Sequence, residues 1–259
     1  MSELNWSSAI SEIAPNVIRL RGYPVEELMG RVGFAEAIHL ALIGELPDSG
    51  TATLLDAIFV SSLDHGTTPP SVHSALTVAS AGAPLGSAAA AGILAISRWH
   101  GGDIEDCMRT IQEALGIAKK NGISFSEAAM RVVDEYKARN RRISGFGHRL
   151  HSRDPRTTRL LQMADQLGKS QDGVDMACWL EDAIAQSTGK PIPLNVDGAI
   201  AAILVDLRIP VELANGFFMI ARLPGLLAHA HEETTRQNPM RVIHPLDVTY
   251  DGPPLRHLA

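Results

Sequence analysis

Apolar residues return at three-to-four-residue spacing through most of this chain, and no convincing stretch alternates between apolar and polar positions. Phe34, Ile38, Ala41 and Leu42 form one such face within 25–46, which Gly44 and Pro47 close. Further helical segments are expected over 54–63, 104–119, 124–140, 174–187, 197–207 and 211–233, with another from Pro155 to a stop at Gly168. Ser124 and Glu127 have capping-box spacing, and Asp154-Pro155 places a capping acid before a proline at the first helical position. Aromatic residues make up 5% of the chain and alanine is abundant, so the core these segments can build is one of closely approaching helices. The expected fold class is all-α, with roughly ten helices or more. At 259 residues the chain has room for one large domain or two unequal ones. The division expected is a large helical domain from 1–104 and 206–259, with a small one from 105–205.

The stretch 74–97 carries no charge and is long enough to span a bilayer. It consists mainly of Ala, Gly and Ser with Pro84 and Gly86 in the middle, a composition that favours close helix contact over membrane insertion. Two helical pieces broken near Gly82-Ala83-Pro84 are expected, and no membrane span. Cys107 and Cys178 lack any CxxC or ligand spacing and read as reduced core thiols of a cytoplasmic protein. The first residues show no basic region leading into an apolar run, so no secretory leader is expected.

Charge narrows the function. The chain carries a formal net charge of −6, yet 137–159 holds eight Lys or Arg against one acid, Asp154. Such a local excess suits a small polyanion, whereas nucleic acid requires a broader basic face. Within this block Ser144-Gly145-Phe146-Gly147-His148-Arg149 sets a histidine between glycine and arginine. Glycine lets backbone approach a ligand, and adjacent guanidinium charge favours the neutral imidazole, a group able to exchange a proton near neutral pH. The alternative is a loop histidine bonded to nearby backbone.

Arg156 falls in the first turn after Asp154-Pro155, where a guanidinium can grip a carboxylate in a two-pronged bond. Arg222 lies among Phe217, Phe218, Met219, Ile220, Ala221, Leu223, Leu226 and Leu227, so it requires either a buried acid or a bound anion. Asp197, between Asn195-Val196 and Gly198-Ala199, reads on spacing alone as a helix N-cap. His73 and His100 are weaker candidates. No HxxxH, HExxH or Cys/His ligand spacing occurs, and no Walker-type loop or GxGxxG, so a metal or nucleotide-phosphate site is not expected.

Five ordered segments together resemble the citrate synthase superfamily. Arg21-Gly22-Tyr23-Pro24-Val25-Glu26-Glu27-Leu28 with Gly44-Glu45-Leu46-Pro47 is similar to its N-terminal signature, and Trp99-His100-Gly101-Gly102 to its LHGGA turn. Gly145-Phe146-Gly147-His148-Arg149 with Asp154-Pro155-Arg156 resembles GFGHRVY…DPR, one residue shorter. Asn195-Val196-Asp197 resembles NVD, and Ile220-Ala221-Arg222 with Gly225-Leu226-Leu227-Ala228-His229 resembles IAR…G..AH. The resemblance implies an all-helical fold with large and small domains, a dimer or higher homo-oligomer, and a coenzyme A thioester as substrate with no tightly bound cofactor.

It also implies roles. Asp197 would move a proton at the acetyl-CoA methyl, replacing the capping role that its spacing suggests. His100 would stabilise the enolate at the thioester oxygen, and His148 would exchange the proton of the oxaloacetate carbonyl or citryl hydroxyl. His73, Arg156 and Arg222 would hold the four-carbon acid, and Arg149 and Arg153 the CoA phosphates. The chain departs from synthases in two ways: little sequence separates Pro47 from His73, and Ile243-His244-Pro245 stands where a synthase carries Ile-Arg-Pro. Losing that fixed charge suits cleavage and release. Leu194-Asn195-Val196-Asp197-Gly198 with the terminal His-Pro also resembles the lyase portion of ATP citrate lyase and stand-alone citryl-CoA lyases. The leading expectation is therefore citryl-CoA lyase, served by a separate citrate-activating enzyme. A short citrate or methylcitrate synthase and an inert CoA- or anion-binding protein on the same scaffold are the rivals.

Overall fold

The computed structural model describes residues 6–97, 100–101, 103–148, 152–241, 249 and 251–255. Among them the chain forms three short strands and eleven α-helices. The strands are β1 (Ser11–Ala14), β2 (Val17–Leu20) and β3 (Tyr23–Pro24). The helices are α1 (Val25–Leu28), α2 (Phe34–Ile43), α3 (Ser49–Ser62), α4 (Pro70–Ser80), α5 (Leu85–Leu94), α6 (Asp103–Asn121), α7 (Phe125–Ala138), α8 (Pro155–Gln166), α9 (Asp172–Thr188), α10 (Val196–Asp206) and α11 (Ala214–Arg236). A 3-10 turn, Val211–Leu213, follows Pro210 and leads into α11.

The fold is all-α apart from a small antiparallel meander in the order β1-β2-β3 that the residue pattern did not reveal. Ser11 lies opposite Leu20 and Ala14 opposite Val17, and every residue of β1 is exposed, so no apolar alternation marks the strand. Only its turns leave a trace in sequence. Arg21 and Gly22 both take positive φ, 50° and 88°, the two-residue turn whose twist matches paired strands. The Arg21 side chain then donates to the Ala41 carbonyl at 2.9 and 3.2 Å, holding the meander against α2.

The single helix expected over 25–46 is instead α1 and α2. Gly30 adopts a φ of 78° and Gly33 is extended, which ends one helix and opens the next. Phe34 consequently opens α2 with 78% of its surface exposed, while Ile38 and Leu40 face the core. The Ser124/Glu127 capping box and the Asp154-Pro155 helix start both form. Cys107 is a buried free thiol as expected, but Cys178 is exposed: Val174, Met176, Ala177 and Leu180 take the inward positions of α9 and leave position 178 outside.

Packing gathers the residues into two units, Met1–Asp64 with Ser97–Arg222 and His65–Ile96 with Leu223–Ala259. This grouping is drawn along different lines from the division expected above, because α3 packs on α8 and so joins the early helices to the middle of the chain. In the first unit α10 is central. Ala199, Ile200, Ala201, Ala202, Ile203 and Leu204 are all buried, and α6, α8 and α9 pack around them. A helix apolar all round belongs inside. At its end Asp206 accepts the backbone N–H groups of Gln171, Gly173 and Val174 at 2.9, 2.7 and 3.0 Å, capping α9 from outside that helix.

In the second unit, α4 and α5 flank Gly82, whose φ is 86°. Val72, Ala75 and Leu226 form one buried cluster, and Ala79, Ala88 and Ala230 another. Gly92 is required there: a Cβ would fall 2.8 Å from Leu226 and 3.0 Å from the Ser71 carbonyl. The uncharged stretch thus becomes helices of 11 and 10 residues in close contact. Only Val211–Arg236 is long and apolar enough, by length and composition, to cross a membrane among the described residues. That helix buries Phe217, Ala221, Arg222 and Ala230 within the protein.

Gly173 offers a direct test of the α9–α10 contact, since a Cβ there would sit 2.7 Å from both the Ala202 carbonyl oxygen and the Asp206 carboxylate. Gly173→Ala is expected to lower unfolding free energy by about 2 kcal/mol, read from the urea midpoint at unchanged m-value.

Candidate functional site

The histidine-bearing loop and the aspartate-bearing helix are strapped together by backbone. Gly147 N donates to the Pro193 carbonyl at 2.7 Å and Asn195 N to the Gly145 carbonyl at 3.0 Å, with Phe146 bridged antiparallel to Leu194. Gly145, at a φ of 89°, lies so close that a Cβ would meet Cys107 Sγ at 2.5 Å and Gly198 Cα at 2.9 Å. A Cβ on Gly198 would in turn overlap the Gly145 carbonyl and Leu194. Asn195 completes the clasp. Its Oδ1 accepts from Gly198 N at 3.0 Å, capping α10, while its Nδ2 donates to the Gly147 carbonyl at 2.9 Å. The cap of α10 is therefore Asn195, and Asp197 occupies the second helical position with its carboxyl released from capping. This corrects the reading of Asp197 from spacing alone. Glu181 supports the strap from α9 by accepting Leu194 N at 2.8 Å.

Two arginines meet the carboxy end of α3. Arg156 Nη1 donates to the Ser61 carbonyl at 3.3 Å, and Arg222 Nε donates to the Ser62 carbonyl at 2.9 Å. Unsatisfied carbonyls at a helix end carry partial negative charge and suit cations. The two-pronged partner of Arg156 is Asp154, two residues earlier, with Nε to Oδ1 at 3.0 Å and Nη2 to Oδ2 at 2.7 Å. The same carboxylate accepts Arg156 N and caps α8. Burial works to lift the Asp154 carboxyl, but the Arg156 bonds and charge, with a further contribution from His148, hold it below the usual range. The grip expected of Arg156 on a ligand is thus already made to its own helix cap, leaving two of its five N–H bonds outside these contacts.

Arg222 is 3% exposed, lies over the Phe218 ring at 4.9 Å, and its Nη1 has no hydrogen-bond partner. Burial pulls its pKa down while the negative charges of Asp64 and Asp197 favour the cation. A buried guanidinium nitrogen without an acceptor has hydrogen-bonding capacity to spare. His100 shares the same ring: its imidazole meets Phe218 edge-on at 6.2 Å, and backbone bonds in both directions with Ser97, 2.9 Å each, hold its turn.

The fields of these groups converge on Asp197. Burial first, then the charge of Asp103, push its carboxyl up to about 6, against the opposing pull of Arg156 and Arg222. The residue keeps partial accessibility, as a group that must meet a ligand requires. Asp103 opens α6 and accepts a bond from Ser144 Oγ at 3.2 Å, and burial raises its own pKa.

His100, half-buried His148, Arg156, Asp197 and Arg222 therefore belong to one unit. His73 belongs to the other, exposed on α4, where it lines a small cavity with Thr67, Leu76, Thr77, Glu233 and Arg241. Arg153 is exposed, and Arg149 and His244 lie outside the described residues. Three residues of the basic block have partners elsewhere than at a ligand: Lys137 donates to Ser187, Arg139 pairs with Glu135, and Arg141 lies over Tyr136. From sequence, Asp103 has no assigned role, and Asn195 and Phe218 figure only as neighbours of Asp197 and Arg222. Asn195 was within reach, since an Asn three residues before glycine at a helix start has capping spacing. Among the described residues no group of three or more His, Cys, Asp or Glu could hold a metal ion.

The model of the citrate synthase C-terminal domain matches residues 47–246. A solved citryl-CoA lyase from Hydrogenobacter thermophilus is 40% identical with a TM-score of 0.89, over 98% of this chain and 97% of that one. The Methanosaeta concilii ATP citrate lyase, solved with (3S)-citryl-CoA, is 22% identical with a TM-score of 0.82, over 98% of this chain and 43% of the other, and shares the fold. A probable ATP-citrate synthase of Dictyostelium discoideum is 30% identical over 187 residues, 66% of this chain. The chain spans only 29% of that relative's length.

A raised carboxyl carries a stability signature. Asp197 titrates near 4 in an unfolded chain and near 6 in the fold, so stability falls as pH rises between those values and the penalty is complete above them. Asp197→Asn is expected to gain about 2–3 kcal/mol of stability over the native protein at pH 8 and to lose that advantage at pH 4. Denaturant unfolding at both pH values measures it.

Proposed function

The chain belongs to the citrate synthase C-terminal domain family, and from that premise we propose that it is an enzyme cleaving citryl-CoA into acetyl-CoA and oxaloacetate. The observation that carries this reading is the likeness, end to end in both chains, to a stand-alone citryl-CoA lyase. His148 takes the proton of the citryl hydroxyl as the bond between the hydroxyl-bearing carbon and the acetyl methylene breaks. The hydroxyl oxygen becomes the carbonyl of oxaloacetate, and the electron pair passes to the thioester enolate. His100 donates a hydrogen bond to the enolate oxygen. Asp197 delivers its proton to the methylene carbon, giving acetyl-CoA. Coenzyme A enters as part of the substrate.

The geometry favours this assignment. A half-buried carboxyl that retains its proton to about pH 6 can act as an acid, and the nearby arginines suit carboxylates. The unpartnered Nη1 of Arg222 donates to a carboxylate of the four-carbon product, with Arg156 beside it. Exposed Arg153 is assigned to a CoA phosphate. The working assembly is a homo-oligomer, and a separate enzyme that activates citrate supplies the thioester.

His100 favours a second reading, since a histidine at this turn matches the synthase pattern. Product analysis with synthetic citryl-CoA separates the two. A lyase yields acetyl-CoA and oxaloacetate, whereas a synthase yields mainly citrate and free CoA. Asp197→Asn is expected to lower kcat by about 100-fold or more. Unchanged turnover in that variant would remove the assigned chemistry, and no turnover by the native protein would leave an anion-binding protein on this scaffold.

A further inference from the structure

One acid in the first unit has no part in the reaction as written above. Asp103 opens α6 three residues after His100, at the place where the LHGGA pattern has alanine. Its Oδ1 accepts Ser144 Oγ at 3.2 Å, and Ser144 leads directly into Gly145, whose backbone packs on Gly198 in the first turn of α10. Cys107, one turn along α6 from Asp103, fills the space beneath Gly145. Packing of α6 on α10 thus brings the head of α6 to the turn that carries Asp197.

We propose that Asp103 is a positioning residue for the cleavage reaction: its carboxylate, held by Ser144 beside the first turn of α10, keeps the proton on Asp197 that is delivered to the acetyl-CoA enolate. The inference rests on the citryl-CoA-cleaving reading. Two neighbouring half-buried carboxyls do not ionise together without cost, so one ionised partner loads the other with a proton. Burial is the first cause of the raised Asp197 carboxyl, and the Asp103 charge is the largest contribution from a neighbouring group. Arg156 from α8 and Arg222 from α11 pull the proton off, and Asp154, which pushes in the same direction as Asp103, is bound in two prongs by Arg156. From α6 itself the Cys107 thiol is buried and held neutral by its surroundings. Glu181, from α9, is bonded to the backbone of Leu194. Asp106 is the further acid near Asp103, and its charge adds to the burial that lifts the Asp103 carboxyl.

Asp103→Asn keeps an acceptor for Ser144 and removes the charge. The basic limb of the pH profile for citryl-CoA cleavage reports loss of the Asp197 proton, so in this variant it is expected to move to lower pH by about half a unit or more, a roughly threefold loss of rate at pH 7. Asp103→Glu, which restores the charge, is expected to return the limb toward its native position. Carbon-13 NMR of aspartate-labelled protein without substrate gives a second readout: one carboxyl titrating near pH 6, absent in Asp197→Asn and shifted downward in Asp103→Asn. Native cleavage with an unmoved limb and an unmoved titration in Asp103→Asn overturns this proposal alone. A native protein that does not cleave citryl-CoA removes the reaction reading, and the proposal falls with it.

Discussion

The backbone contact between Gly145 and Gly198 is the constraint on which the candidate site depends. Neither position has room for a Cβ, because each glycine occupies the space a side chain on the other would need. With that approach in place, Asn195 can reach from the cap of α10 to the Gly147 carbonyl, and the residue after Gly147 is His148. An imidazole on a loop and a carboxyl on a helix are thereby referred to one backbone frame, with few side-chain torsions between them. In the proposed cleavage this economy of freedom fixes the two groups relative to each other, where small displacements carry large rate penalties.

Electrostatics follows from the same frame. A cation enclosed without partners would be expensive, and both arginines avoid that by reaching consecutive carbonyls at the end of α3. Asp154 anchors one of them while capping α8, so one carboxylate ends a helix and orients a guanidinium at once. What is left over is directional: Arg222 keeps a nitrogen without an acceptor, and Asp197 keeps a proton longer than an exposed aspartate would. Structural needs and ligand-directed chemistry are met by the same few charges.

Much of this was legible in the sequence, for physical reasons that differ by element. Ser124 with Glu127 and Asp154 with Pro155 announce helix starts through local chemistry, and both form where the spacing puts them. The glycines flanking Phe146 suggest places where backbone meets a ligand, whereas Gly145 closes on Cys107 and Gly198 of the protein itself. The meander was not visible, because strands exposed on both faces carry no apolar period and only Arg21-Gly22 hinted at a turn. Asp197 was misread from spacing because Asn195, two residues earlier, competes for the same cap and wins. The partner of Lys137 is a different matter: Ser187 lies fifty residues away, and no local pattern encodes that meeting. Arg222 is intermediate. Its apolar neighbours showed that it needs company, but the carbonyl that provides it is 160 residues away.

The two cysteines differ in access: burial and nearby acids raise both thiols, but only Cys178 is exposed. Cys107 is sealed under Gly145 with its thiol held neutral, whereas Cys178 sits on the outer side of α9. Access governs alkylation as well as thiolate character, so a maleimide reagent meets a single accessible cysteine in the folded protein, at a pH high enough to ionise it. A fluorophore or spin label can therefore be attached to α9 of the native sequence with no cysteine replaced, and the thiol packed against the His148 loop stays unmodified while it reports.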